Sequence, residues 1–216
     1  MQHARPLPPF LVGRYHEWQA RMKSTERERL ADLAEHGQRP RAMIVACCDS
    51  RVMATDVFGG EAGDFFVHRN IANLVPRSRP DGTERGTSAT VEYAVTVLNI
   101  DHLIVMGHYG CGGVAGCYDM HAGTPGAPGP ETYVGRWLTV LSPGYARVAG
   151  LRLDREAALR ALERQAVILS LENLMSFPFV AQRVATRKLE LHGVWKDIAD
   201  GALEYYDAAS RSFQPV

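Results

Sequence analysis

The sequence lacks the features that mark several whole classes of protein. Its 216 residues include four cysteines, too few for a disulfide scaffold in a chain of this length. Neither sign of charge is in excess, with Lys plus Arg and Asp plus Glu at 24 each, so nothing in the balance draws the chain to nucleic acid or to an anionic membrane. No apolar stretch approaches the roughly 18 residues of a membrane helix, and the first nine residues carry prolines but no apolar core of a signal peptide. There is no internal repeat. These absences leave a globular chain, 46% apolar and 22% charged, read as one domain over residues 1–216, with a cytoplasmic location and a small or neutral substrate expected.

Hydrophobic patterning gives the architecture. Residues 10–23 read as a helix, and Thr25 with Glu28 has the spacing of a capping box for a second helix that Gly37 and Pro40 stop; together they form an N-terminal arm over about 10–37. The run Ala42-Met43-Ile44-Val45-Ala46-Cys47 has no polar alternation, the pattern of a strand buried on both faces of a parallel sheet. Phe65-Phe66-Val67 and Leu103-Ile104-Val105-Met106 read likewise. Between them, Thr87 is a candidate N-cap for a helix carrying Val91, Ala94, Val95 and Leu98 at helical spacing. The α/β core thus covers about 41–120. A turn-rich loop over 122–130 leads to a C-terminal part over about 154–206, with a long helix from Asp154 to Met175, a helix starting at Pro178 and an antiparallel edge around Leu189–His192 and Ala202–Tyr206. The fold class expected is a central, mostly parallel β-sheet with flanking helices.

Two short strings close the two main strands: Cys47-Cys48-Asp49-Ser50-Arg51 and His108-Tyr109-Gly110-Cys111. In open α/β sheets, sites form beyond the carboxyl ends of strands, so neighbouring strands would bring Cys47, His108 and Cys111 together. Two thiolates and an imidazole suit zinc and leave a fourth position for solvent, as catalytic zinc sites do. Metal-assisted hydration or hydrolysis is the chemistry implied. Asp49 and Arg51 alternate after Cys47 and share a side; a bidentate Arg–Asp pair would hold the carboxylate off the metal. Gly107, Gly110, Gly112 and Gly113 read as clearing space around the ligands. Cys48 should point the other way and pack, and Cys117 is read as structural, as are His102 and His192, which have no ligand spacing to the main set. His68 is either a proton carrier or a structural hydrogen-bonding group. Gly110-x-Gly112-x-x-Ala115 fits a dinucleotide fingerprint only weakly, because Glu131, where the acidic residue belongs, follows a Pro/Gly loop instead of a second strand.

Ala46-Cys47-Cys48-Asp49-Ser50-Arg51, Phe66-Val67-His68-Arg69-Asn70-Ile71-Ala72-Asn73 and Gly107-His108-Tyr109-Gly110-Cys111-Gly112-Gly113 resemble the β-class carbonic anhydrases. The similarity runs from about Phe10 through Tyr206, apart from the 122–130 loop. It implies one Zn²⁺ per subunit on Cys47, His108 and Cys111, an Asp49–Arg51 dyad, reversible hydration of carbon dioxide to bicarbonate and a proton, and a homodimer that can pair into a tetramer, with the N-terminal helices packed on the partner subunit. Some members of that family bind bicarbonate away from the metal through Trp, Arg and Tyr, and at lower pH release Arg so that Asp binds zinc. Here Ile44 and Lys196 stand at the Trp and Tyr positions and only Arg69 remains, so an open site near neutral pH is expected. Two rivals stay open at this level: hydrolysis of carbon disulfide or carbonyl sulfide on the same scaffold, and a non-catalytic, redox-responsive protein with structural zinc, which requires four protein ligands. A thiol phosphatase is excluded, since Met53, Ala54, Cys117 and Gly123 stand six residues after the four cysteines where Arg would be needed.

Overall fold

The computed structural model describes residues 3–79 and 85–216. The chain forms two compact units, residues 1–38 and 39–216. The first holds two helices, α1 (Pro9–Arg21) and α2 (Ser24–His36), neither with a buried residue. In α1, Leu11, Tyr15 and Trp18 recur at helical spacing and are 39, 49 and 50% exposed, an apolar stripe open to solvent. The capping box does not form: α2 begins at Ser24, two residues earlier than a Thr25 cap would place it, with Lys23 at the cap and no side-chain bond to the helix.

The second unit is built on a six-stranded sheet of order β2-β1-β3-β4-β5-β6. Strands β1 (Ala42–Cys47), β2 (Phe65–Asn70), β3 (His102–His108) and β4 (Glu190–Lys196) are parallel; β5 (Leu203–Asp207) and β6 (Ser212–Pro215) run antiparallel at one edge. The sheet therefore has the expected class, and β6 extends the edge by a strand that the sequence pattern did not signal. Every residue of β1 is buried, which is why its run is apolar throughout. Met43, Val45, Leu103 and Val105 pack on one face, and Ile44, Ala46, Ile104 and Met106 on the other. The chain leaves β1 for β2 on one side and returns to β3 on the other, so the carboxyl ends of β1 and β3 flank a topological switch point.

Helices α3 (Arg85–Glu92), α4 (Gly112–Ala122), α5 (Tyr133–Leu138), α6 (Ser142–Ala149), α7 (Arg155–Leu174) and α8 (Pro178–Ala185) complete this unit. Thr87 lies inside α3 and is no cap; its buried hydroxyl meets His68 Nε2 at 3.0 Å. The last expected turn of that helix widens into a π-turn over Tyr93–Val97 that buries Ala94 and Val95. Asp154 caps α7 through its bond from the Ala157 amide, 2.9 Å. His102 and His192 fall inside β3 and β4, where the sequence reading had one before a strand and the other at a strand's end.

The long helix α7 sits close to the sheet because two strand positions are glycine. A Cβ on Gly107 would stand 2.7 Å from Val167 Cγ2, and one on Gly193 would stand 2.8 Å from Val167 Cγ1 and 2.9 Å from Leu171 Cδ1. Gly107 thus makes room for α7 and not for a metal. Gly113 does the same for the segment after β2, since a Cβ there would stand 2.6 Å from Ile71 Cγ2. Gly193→Ala is expected to destabilise the protein by about 1–3 kcal/mol through overpacking, read as a lowered midpoint of urea unfolding; an unchanged midpoint would mean that α7 can move away without cost.

Candidate metal centre

Cys47 ends β1 and His108 ends β3, and the parallel pairing of those strands makes them neighbours. After His108 the chain turns at Gly110, whose φ of 68° lies in the left-handed region that glycine tolerates. That turn brings Cys111 back to the same point as the N-cap of α4. Sulfur and ring-nitrogen atoms of Cys47, His108 and Cys111 all lie within 4.8 Å of one another, and all three residues are buried. The two sulfurs are 3.9 Å apart.

A metal fits this set on three grounds. Two sulfurs held at 2.3 Å by a tetrahedral ion stand about 3.8 Å apart. His108 places Nδ1 2.9 Å from the Tyr109 carbonyl, and Nε2 is buried with no hydrogen-bond partner; a ring whose Nδ1–H donates to a backbone carbonyl offers Nε2 as a lone pair, the usual support for a ligating histidine. The electrostatics also favour thiolate character: the hydrogen bond with Cys111, with His108 close by, holds Cys47 well below the ordinary thiol range. Cys111 is pushed up in turn, by Cys47 and by burial. Burial opposes charge on His108, yet its neighbour Cys47 outweighs burial and raises it. Two sulfurs and an imidazole this close share protons that a divalent cation would displace.

Asp49 and Arg51 lie beside this set in the loop after β1. Asp49 Oδ1 accepts from the Arg51 amide (3.0 Å) and from Nε (2.9 Å), and Oδ2 accepts from Nη2 (2.6 Å). The same guanidinium donates to the Gly110 carbonyl at 3.0 Å, so one arginine ties together the two loops that bear the cysteines. Asp49 is not among the gathered ligand atoms, and among the described residues the group comprises three side chains, not the four of a closed structural site.

Arg69 is committed elsewhere. It donates through Nε to the Cys47 carbonyl (2.9 Å) and through Nη2 to those of Asp49 and Val52 (2.8 Å each). Ile44 is fully buried in the sheet. Cys48 departs from the packing role expected of it: it is exposed and lines a cavity of about 350 Å³ with His68, Asn70, Ile71, Gly86, Thr87 and Trp137. His68 is hydrogen-bonded to Thr87 in that wall, and burial lowers its pKa. Cys117 is on the buried side of α4, its thiol pushed up to about 12 by burial.

One residue of the site escaped the sequence reading. Glu163, 2% exposed on α7, accepts through Oε1 from the Gly110 and Cys111 amides (2.8 and 3.2 Å) and from Arg160 Nη2 (2.7 Å), and through Oε2 from Trp195 Nε1 (3.2 Å). Burial raises its pKa, against the pull of Arg160 and these donors. The one available signal was a carboxylate amid the apolar stripe Leu159, Leu162, Ala166 and Leu169, a position where a charge persists only if paired.

The family model for carbonic anhydrase matches residues 42–203. Beta carbonic anhydrase 3 of Arabidopsis thaliana is 34% identical over 173 residues, which cover 79% of this chain. The chain belongs to the β class of the carbonic anhydrase family. It spans 66% of the length of that plant relative, just under two thirds. Among solved structures, the β-carbonic anhydrase CcaA superposes with a TM-score of 0.87 at 28% identity, covering 95% of this chain and 90% of CcaA. A tetrameric β-carbonic anhydrase of the ascomycete Sordaria macrospora gives 0.77 at 30%, covering 91% and 94%. No helix among the described residues is long and apolar enough to cross a membrane.

Two outcomes are expected. Because Arg51 holds Asp49 well below the usual carboxylate range, the stability this pair contributes is fully present above the unfolded value of about 3.9 and is lost as pH falls through the lower folded value. The stability gap between wild type and Asp49→Asn in urea unfolding should therefore be the same at pH 7 and 5 and shrink below about 4; a gap that closes between 7 and 5 would contradict the pairing. Glu163→Ala, which strands Arg160 and two backbone amides, should cost about 3–5 kcal/mol of stability, measured by the same unfolding.

Proposed function

We propose that this chain catalyses the reversible hydration of carbon dioxide to bicarbonate and a proton, with one Zn²⁺ held by Cys47, His108 and Cys111 and with Asp49 and Arg51 as the catalytic pair. The observation that carries the reading is the buried two-sulfur, one-imidazole set with His108 Nε2 unpartnered; membership of the β class supports the substrate. The ion, when bound, supplies the Lewis acidity that makes water nucleophilic near neutral pH.

The protein's own groups do the rest. Asp49, an acceptor kept ionised by Arg51, takes a hydrogen bond from the attacking water and so aims a lone pair of that water at the carbon of carbon dioxide. Arg51 denies Asp49 to the metal by occupying both carboxylate oxygens, and its hold on the Gly110 carbonyl couples the dyad to the Cys111 loop. Glu163 fixes the same loop from behind through two amides. We infer an open fourth position near neutral pH: Arg69 is spent on three backbone carbonyls and Ile44 is core, which leaves no Trp–Arg–Tyr set to draw Arg51 from Asp49. A proton released in each turnover passes to buffer.

The working form on this reading is a single catalytic domain, assembled as a homodimer able to pair into a tetramer and located in the cytoplasm. The uncovered stripe Leu11, Tyr15 and Trp18 on α1 supports a partner-facing arm, and the Sordaria macrospora relative is itself tetrameric. Free, metal-ready thiols suit a reducing compartment.

Stopped-flow hydration of carbon dioxide tests the function. Wild type should be active, Cys47→Ser should lose the zinc along with the activity, and Asp49→Ala should keep the zinc while activity falls about 10- to 100-fold, the usual cost of a lost supporting partner. Wild-type turnover no better than that of Cys47→Ser would overturn the proposal.

A further inference from the structure

A second gathering of metal-ligating side chains lies at the amino ends of β3 and β4. His102 opens β3 and Glu190 opens β4, paired directly in the parallel ladder, and His192 follows two residues after Glu190. Residues two apart on a strand point to one face, so Glu190 and His192 share a face, and His102 meets them there. His102 Nδ1 and His192 Nε2 are hydrogen-bonded at 3.2 Å. Glu190 Oε2 stands 3.5 Å from His102 Nδ1 and 3.8 Å from His192 Nε2.

Those three distances define a triangle whose centre lies about 2.0 Å from each corner, the bond length zinc takes with imidazole nitrogen and carboxylate oxygen. The position is remote from the buried centre: six residues of strand separate His102 from His108, about 20 Å at about 3.3 Å per residue. We propose that His102, His192 and Glu190 form a second divalent-metal site, at the opposite end of the sheet from Cys47, His108 and Cys111. Two imidazoles and one carboxylate select a first-row ion of the zinc, nickel or copper kind over magnesium or calcium. One ring now donates its N–H to the other across this contact; when the ion takes the place of that hydrogen, the donor ring's proton moves through solvent to its other ring nitrogen, so both rings stay neutral and both facing nitrogens turn a lone pair on the metal. Solvent reaches all three side chains, so water completes the shell and this ion exchanges more readily than one in the buried centre. Ninety residues separate the two histidines in sequence, which is why spacing alone left each of them isolated.

The test uses the zinc-loaded protein titrated with cobalt(II). Wild type should take up one further equivalent per chain, with visible d–d absorption and no near-ultraviolet thiolate-to-cobalt band, because the site has no sulfur. His102→Ala with His192→Ala, and separately the milder His192→Gln, should lose this equivalent and keep the original zinc. A wild type that binds no second equivalent, or a His192→Gln protein that binds it unchanged, overturns the proposal. Failure of the buried centre is distinguishable: the preparation would then lack its first zinc, or cobalt would enter with the thiolate band.

Discussion

Parallel pairing of β1 with β3 is the constraint on which the rest depends. Two strands that run the same way must end at the same edge, and here one ends in Cys47 and the other in His108. Parallel ladders need long crossovers with helices to cover their faces, so this choice also requires α3 and α7, and it makes β1 apolar from end to end. The site is then assembled by what little chain follows each strand: a loop carrying Asp49 and Arg51, and a left-handed turn at Gly110 that delivers Cys111. Neither loop is held by apolar packing alone. Arg51 bridges them in front and Glu163 anchors one of them from behind.

Much of this was legible in the chain because strand ends are punctuated by chemistry. A buried parallel strand announces itself as an unbroken apolar run, and the residues just past the run were the ones gathered in the structure. What was not legible depends on distant partners. Glu163 contacts Gly110 across 53 positions, and no local pattern carries that distance. Thr87 has the composition of a cap but serves as a buried partner for His68, because the helix begins before it. The glycines around His108 were correctly seen as necessary and wrongly explained: at Gly107 and Gly113 the close approach is to Val167 and Ile71, which sequence spacing could not bring near.

The sheet also separates duties along its length. Its carboxyl edge gathers sulfur and imidazole donors in a buried, tightly braced setting, whereas its amino edge gathers nitrogen and oxygen donors open to solvent. The same two strands, β3 and β4, run between these edges. Gly193 midway along β4 and Gly107 beside His108 let α7 lie against the backbone.

Arg69 carries a further implication. A guanidinium stays charged at any pH a protein survives, and this one spends three donor contacts on the carbonyls of Cys47, Asp49 and Val52. The loop is thus fastened through Nε and Nη2 of one side chain, which hold three of its backbone carbonyls. That anchor is separate from the Asp49–Arg51 pair, so the loop keeps a fixed point beside the groups on which the proposed reaction would act.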